Sequence, residues 1–353
     1  MRVRVARNLA ELESIEPAWD ALARGALEPN PFYESWMLLP ALRAFSASQD
    51  VRVVLVWQGE RLAGLFPFQH VARYKGLPAS ALSSWLHVHC LLCTPLVLAE
   101  SASACLDALL AWCGASFIDF RYLPAGGPFH RALSAALAAR GLKSTLNRAW
   151  SRPLLRKNRA TISSQLQRRF ANKERRLAER GRLERVALEP DGDIGRWIED
   201  LLQLEARGWK GRKGSALACT EANRRFASEI FTGAFRRGRL LLAGLDFDGR
   251  PIGRRASILA RDGAYAFKTA YDETMAESSP GAMLELDNAR QLDATPGLEW
   301  MDSFTEDENA ALERLWPDEQ PMQSLAVAVG AWGGVNAAAL PALRWAKQCL
   351  ALG

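Results

Sequence analysis

The chain has 353 residues, 49% of them apolar and 24% charged, with a formal net charge of +6. That composition excludes a disordered tail, a multi-span membrane protein and a small disulfide scaffold, and the length suits two domains that each bury a core. Met1 to Arg7 run into an acidic amphipathic segment rather than an apolar h-region, so no signal peptide is predicted and the six cysteines are expected as reduced, cytoplasmic thiols.

In the first half, Leu9 to Arg24 and Tyr33 to Phe45 show the periodicity of amphipathic helices. Val51 to Trp57 reads as a strand, Gln58-Gly59-Glu60 as a turn and Leu62 to Val71 as the return strand. Leu82 to Leu98 follows, then a helix near Ala102 to Trp112, a strand from Phe117 to Leu123, a helix from Pro128 to Arg140 and a closing strand from Leu142 to Trp150. Within that half, His87-Val88-His89-Cys90-Leu91-Leu92-Cys93 has the residue types of a zinc site. Strand alternation separates His87 and His89 from Cys90, and no second ligand pair exists, so no metal is expected. A buried strand and a substrate-contacting His89 are the readings left open.

Eleven basic residues fall between Arg152 and Arg182, against Glu174 and Glu179. Ala160 to Arg180 reads as a basic helix ended by Gly181, with Ile162, Leu166, Phe170 and Leu177 at helical spacing. Its arginines cannot be buried without partners and must face solvent or an anion.

In the second half, Asp193 to Arg207 and Glu221 to Arg237 are helices, with Gly208-Trp209-Lys210-Gly211 and Gly214-Ser215 between them. Glycines on both sides suggest a loop shaped around a ligand, Lys210 holding an anionic group and Trp209 forming a wall; a core indole beside a solvated lysine is the plainer alternative. Arg239 to Phe247, Ile252 to Ala260 and Ala264 to Tyr271 are joined by the turns Asp248-Gly249-Arg250-Pro251 and Arg261-Asp262-Gly263, making three antiparallel strands. Alternation sets Lys268 opposite Tyr265, Phe267, Thr269 and Tyr271, either snorkelling at a strand edge or orienting a substrate carboxylate or phosphate. Ser279-Pro280-Gly281 opens a helix that runs to about Leu292, with Ala282 and Met283 in its first turn. Proline fits a helix start, glycine admits a close neighbour, and the free amides and dipole suit a phosphate. A short strand near Leu298 to Phe304 follows. Gln320 to Leu343 is uncharged and long enough to span a membrane, but its glycines and Pro341 read better as a buried strand, Ser324 to Val329, and a terminal helix.

Trp57 to Ala63 lies over Phe247 to Gly253 in position and type, which suggests a duplicated lobe. The expected fold class is α/β with mixed (α+β) sheets. Its divisions are residues 1–150 as an N-terminal lobe, 151–182 as a basic connecting helix, 183–330 as a C-terminal lobe and 331–353 as a C-terminal helix.

Three strands followed by the Ser-Pro-Gly helix and a short strand resemble the acyl-CoA-binding half of the GNAT N-acetyltransferase superfamily. Asn30-Pro31-Phe32, Leu62-Ala63-Gly64-Leu65-Phe66-Pro67, Gly208-Trp209-Lys210-Gly211, Lys268-Thr269-Ala270-Tyr271-Asp272, Ser279-Pro280-Gly281, Met301-Asp302-Ser303 and Leu315-Trp316-Pro317 occur in that order. The set is similar to a bacterial family of two-lobed GNAT-like proteins, the cellulose-biosynthesis-associated acetyltransferases, distant relatives of the Fem-type peptidyltransferases. The resemblance implies two tandem GNAT-like lobes and an acyl-CoA, such as acetyl-CoA, whose pyrophosphate meets the helix start at Ser279, Pro280, Gly281, Ala282 and Met283. It also implies a cell-envelope or exopolysaccharide precursor as acceptor.

Amine acylation needs a neutral amine and a stabilised oxyanion. Asp272, Asp302 and Glu205 are candidate bases, and Ser303 or Tyr271 could protonate the leaving thiolate. Trp209, Lys210, Lys268, Glu205 and His89 are candidate acceptor contacts, and Asp302, Tyr271 and Trp209 are expected to converge on one cleft. The runner-up reading takes its donor from aminoacyl-tRNA, with the basic helix on the phosphates. A third is a non-catalytic binding protein of an envelope-synthesis complex, since Glu277 to Gly281 is poorer in Gln, Arg and Gly than the superfamily's usual loop. Ser-His-Asp, dinucleotide-binding and P-loop patterns are absent, which leaves hydrolase, dehydrogenase and nucleotidase readings unsupported.

Overall fold

The computed structural model describes residues 1–158, 164–189, 191–306 and 310–329. The helix expected over 331–353, and Ile162 of the basic helix, lie outside them. In chain order the elements are β1 (Arg2–Val5), α1 (Leu9–Ser14), α2 (Glu16–Arg24), α3 (Ser35–Phe45), β2 (Val51–Gln58), β3 (Arg61–Val71), β4 (Ala81–Ser84), β5 (Leu96–Val97), α4 (Ala102–Trp112), β6 (Phe117–Pro124), α5 (Pro128–Ala139) and β7 (Ser144–Arg156). Then come α6 (Ser164–Ala178), β8 (Leu183–Val186), α7 (Ile194–Arg207), α8 (Trp209–Arg212), α9 (Glu221–Arg236), β9 (Leu240–Phe247), β10 (Arg250–Ala260), β11 (Gly263–Tyr271), α10 (Pro280–Ala294), β12 (Trp300–Asp302), α11 (Ala310–Glu313) and β13 (Asp318–Ala328). The helix expected over 9–24 is two, because Pro17 lacks an N–H and fits only the first turn of a new helix. Among the described residues no helix is long and apolar enough to cross a membrane.

The chain divides into two compact units, one made of Met1–Trp150 with the stretch that begins at Pro321, the other of Ser151–Gln320. Sequence reasoning puts residues 183–330 in a single lobe; instead β13 turns back to pair with β6, Val327 opposite Ile118 and Ala326 opposite Asp119. In the first unit the strands run β1-β2-β3-β4-β6-β13. Its core joins Phe66 and Phe68 of β3 and Phe120 of β6 to Leu106 and Leu109 of α4 and Phe129 and Leu133 of α5.

In the second unit the order is β7-β12-β11-β10-β9-β8. Helix α6 uses an apolar stripe: Leu166 and Phe170 pack on a cluster with Leu155, Leu292, Leu298 and Met301, and Leu177 on one with Leu245, Ile252, Met283 and Leu284. Successive residues of β10 serve opposite faces. Arg254 binds Asp200 of α7 and Asp246 of β9, whereas Arg255 donates to the Leu284 carbonyl of α10 at 2.7 Å.

The duplication is visible in the pairing, one residue away from where the sequence aligns it. Gln58 pairs with Arg61 and Val56 with Gly64; Phe247 pairs with Arg250 and Leu245 with Gly253. Each return strand bulges just before its glycine, at Ala63 and at Ile252. Each glycine then admits the crossing helix. A Cβ on Gly64 would lie 2.4 Å from Cys105 Sγ of α4, and one on Gly253 would lie 2.9 Å from Leu284 of α10. Both units also contain a parallel ladder of three pairs that ends on an aspartate, Ser83 opposite Asp119 and Tyr265 opposite Asp302. Each aspartate binds an arginine, Asp119 the Arg121 Nε at 2.9 Å and Asp302 the Arg152 Nε at 2.8 Å.

Two outcomes follow from these close fits. Gly64→Ala should cost about 1–3 kcal/mol in chemical unfolding through overpacking, and adding Cys105→Ala, which removes the sulfur, should recover part of that loss. A double variant whose loss equals the sum of the single losses would show that the two positions do not clash. Asp302→Ala removes a carboxylate from the guanidinium of Arg152, which is 2% exposed, and should cost about 3–5 kcal/mol of stability; unchanged unfolding would remove Asp302 from the framework.

Candidate functional site

The second unit opens a fork. β11 and β12 pair only from Gly263–Trp300 to Tyr265–Asp302, and β11 continues to Tyr271. Opposite Ser257 the β10–β11 register slips, because Ala256 faces Lys268 and Ile258 faces Tyr265. The extra residue on β11 resets the alternation. Phe267 therefore meets Phe231 of α9, and the Lys268 ammonium lies 5.3 Å from the Phe267 ring centre. The expectation that Lys268 faces away from Phe267 is corrected by this bulge.

The end of β11, the end of α7 and the start of α8 line an open cleft, walled by Leu204, Glu205, Gly208, Trp209, Lys210, Thr269, Ala270, Tyr271 and Glu273. Glu205 is 3% exposed; it accepts Lys210 Nζ at 2.9 Å on one oxygen and the Leu217 N–H at 2.7 Å on the other. Burial pushes its proton affinity up, but Lys268, Lys210 and the Leu217 N–H together hold it below the usual carboxylate range. Glu205 is thus a fixed carboxylate with both oxygens engaged, not a free base. Burial also acts on Lys268; together with the Lys210 charge, and against the pull of Glu205, it brings the ammonium down to about 8.

At the rim, Glu273 accepts the Trp209 N–H and an Arg212 guanidinium N–H, each at 2.7 Å, which ties α8 to the loop after β11. Gly211 is obligatory there, since a Cβ would sit 1.7 Å from the Ala206 carbonyl oxygen. The Trp209 indole is 48% exposed, with Lys213 Nζ 5.1 Å and Lys210 Nζ 5.9 Å from its ring centre.

After Tyr271 the chain makes a 3-10 turn, Glu273–Ser278, capped by Asp272, whose Oδ1 accepts the Thr274 N–H and Oγ1–H. Ser279 is left-handed at φ 58, ψ 52, and Pro280 begins α10. The Gly281 and Ala282 amides are then first-turn donors without intrahelical acceptors. Met283 departs from expectation: its N–H goes to the Ser279 carbonyl at 3.1 Å and its side chain is core. The Tyr271 ring lies on the helix start, 2.7 Å from where a Gly281 Cβ would be. Lys173 of α6 donates to Ser279 Oγ at 2.6 Å and to the Glu277 carbonyl at 2.7 Å.

The structure thus brings Glu205, Trp209, Lys210, Lys268 and Tyr271 together, with Asp272, Ser279, Pro280, Gly281 and Ala282 on the loop and helix start that follow. Asp302 and Ser303 are elsewhere. Asp302 sits beside Tyr265, six residues or about 20 Å along β11 from Tyr271, and it accepts from Arg152 and the Phe304 N–H. Ser303 is 4% exposed and donates its N–H to the Pro153 carbonyl. Both were expected in the cleft because they end a strand; the ladder shows which end. His89 belongs to the first unit, 3% exposed and edge-on to Phe45 at 5.8 Å. Among the described residues no three His, Cys, Asp or Glu side chains gather as metal ligands would.

Sequence reasoning missed four residues. Lys173 interrupts the apolar spacing of α6, a readable signal, whereas Thr269, Glu273 and Glu285 carried none. Thr269 Oγ1 donates to Glu285 at 3.3 Å and Asn288 donates to its other oxygen at 2.6 Å; burial pushes the Glu285 carboxyl up against the pull of Arg255.

Residues 164–310 match the family model described as an acetyltransferase (GNAT) domain. Among solved structures, the C-terminal domain of a putative lysylphosphatidylglycerol synthetase from Agrobacterium fabrum is similar at 15% identity, over 94% of this chain and 98% of that one, with a TM-score of 0.55. A conserved protein of unknown function from Bacteroides thetaiotaomicron is similar at 14% identity, over 93% of this chain and all of that one (100%), with a TM-score of 0.52. At such identities these likenesses concern the fold. No curated protein sequence matches the chain. The residues that match the acetyltransferase (GNAT) domain model are those of the second unit that form the forked sheet and helix α10.

Proposed function

We propose that the protein is an N-acyltransferase that moves an acyl group, most simply acetyl, from acyl-CoA to an amine of a cell-envelope or exopolysaccharide precursor in the cytoplasm. The observation that carries this reading is the position of Tyr271, which lines the cleft and lies against Gly281. One side chain thereby joins the anion-binding helix start to the place where an acceptor would sit.

In this reading the amides of Gly281 and Ala282, at the positive end of α10, take the donor's pyrophosphate. The acceptor enters past the exposed Trp209, and Lys210 and Lys268 draw in an anionic group it carries. Its amine nitrogen attacks the thioester carbonyl carbon; the C–N bond forms, the C–S bond breaks, the nitrogen gives up a proton to water, and the thiolate collects one, for which the Tyr271 hydroxyl, reprotonated from water, is the candidate donor. Glu205 orients Lys210 without taking a proton, and no side chain of the cleft stands out as a base. Rate enhancement by positioning suits such a site. The envelope or exopolysaccharide acceptor rests on the family resemblance, and the surplus of lysines over free carboxylates favours an anionic one. The exposed arginines of α6 are the observation that favours an aminoacyl-tRNA donor instead.

Acetyl-CoA should raise the melting temperature of the wild type, and Ala282→Asp, which sets a carboxylate at the helix start, should abolish the shift while leaving the ligand-free protein folded. Equal shifts in the two proteins would place the donor elsewhere. Lys268 is protonated below about pH 8, so the KM for an anionic acceptor should rise as pH climbs through that value while kcat changes less. Lys268→Met should show the high KM throughout. A KM profile identical to the wild type would take Lys268 out of acceptor binding.

A further inference from the structure

Helix α6 presents two different edges on either side of its apolar stripe. Lys173 falls within the stripe of Leu166, Phe170 and Leu177, which is why its ammonium reaches the start of α10. On one flank Glu174 pairs with Arg185 of β8. On the other, Arg169 and Arg176 stand four residues before and three after Lys173, along one side of the helix, and Arg180 lies in the turn that follows it. All three arginines are exposed, and none has an ion pair with a described residue. The two acceptors of Lys173 are a hydroxyl and a carbonyl, so its charge is not cancelled. Other arginines of this unit are neutralised, Arg182 by Glu184, Arg212 by Glu273 and Arg224 by Glu199. An uncompensated basic edge therefore borders the helix start.

Its extent selects the ligand. From Arg169 to Arg176 the edge covers about 10 Å of helix axis. Two or three cations over that length suit one phosphomonoester dianion, whereas a nucleic acid engages on the order of six to ten phosphates spread over more than one element. We propose that Arg169, Lys173 and Arg176 form a subsite for the 3′-phosphate on the ribose of the acyl-CoA donor, next to the pyrophosphate at Gly281 and Ala282. This inference rests on the acyl-CoA reading above and gives α6 a part in choosing the donor.

Binding of acetyl-CoA and of 3′-dephospho-acetyl-CoA is measured by calorimetry on the full chain, wild type and Arg169→Gln/Arg176→Gln. Wild type should bind acetyl-CoA about tenfold tighter than the dephospho form. The double variant should bind both with the weaker affinity, at an unchanged ligand-free melting temperature, since both arginines are exposed. Equal wild-type affinities, or a preference that survives in the variant, would overturn the subsite and leave the donor reading standing. Absence of binding by either ligand would overturn the donor reading itself. A micromolar or tighter tRNA complex that weakens steeply between about 50 and 200 mM salt, and that is lost in the variant, would assign the edge to nucleic acid and overturn the proposal.

Discussion

The cleft exists because β12 stops pairing at Asp302. The Asp302 carboxylate accepts from the buried Arg152 guanidinium and from the Phe304 N–H, and Phe304 takes a left-handed φ of 53, uncommon for a bulky residue. That turn carries the chain away from β11 after three ladder pairs. Six more residues of β11 then run on to Tyr271 and supply the wall of the cleft. A charge pair that contributes little net stability can still fix where a strand ends. Asp302 has the residue type of a catalytic base and the position of a framework residue.

The first unit repeats the device with a different result. Its ladder also ends on an aspartate, Asp119, and Tyr122 turns with a φ of 48. Here, however, the Arg121 N–H goes to Ser84 Oγ, and the Cys93 N–H goes to the Tyr122 carbonyl. The segment after β4 is stitched along β6 instead of leaving its edge open. Helix α4 begins after a 3-10 turn whose Ser101 hydroxyl donates to Gln58, with no Pro-Gly start. The same hairpin, bulge and glycine thus support an open fork in the second unit and a filled one in the first.

Electrostatics gives the open cleft its character. Glu205 is buried between two lysines and neutralises part of their charge, which lowers the cost of holding Lys268 away from water. The cluster remains cationic, and Lys213 extends that sign to the rim beside an exposed indole. Cations near a ring and a helix dipole nearby both act most strongly where water is excluded. The arrangement suits a ligand that brings its own negative charge.

Much of the framework was legible in the sequence, because helix and strand periods and Pro-Gly punctuation are local properties. The hairpins, the start of α10 at Pro280 and the basic helix all follow from residues within a few positions of one another, whereas the expected Trp209-Lys210 loop is the helical turn α8. Tertiary structure decided what depends on pairing register. A single extra residue at Ala266-Phe267 put Lys268 on the face of Glu205, a reversal that alternation cannot foresee without the partner strand. The parallel ladder of β11 and β12 placed Asp302 about 20 Å from Tyr271, although both residues end strands. Lys173 reached Ser279 across 106 residues of chain, and β13 returned to the first unit through pairing with β6. Sequence alone determined which segments form and what chemistry they carry; only the fold determined which ends of those segments meet, because register and crossover are set by the packing of distant residues.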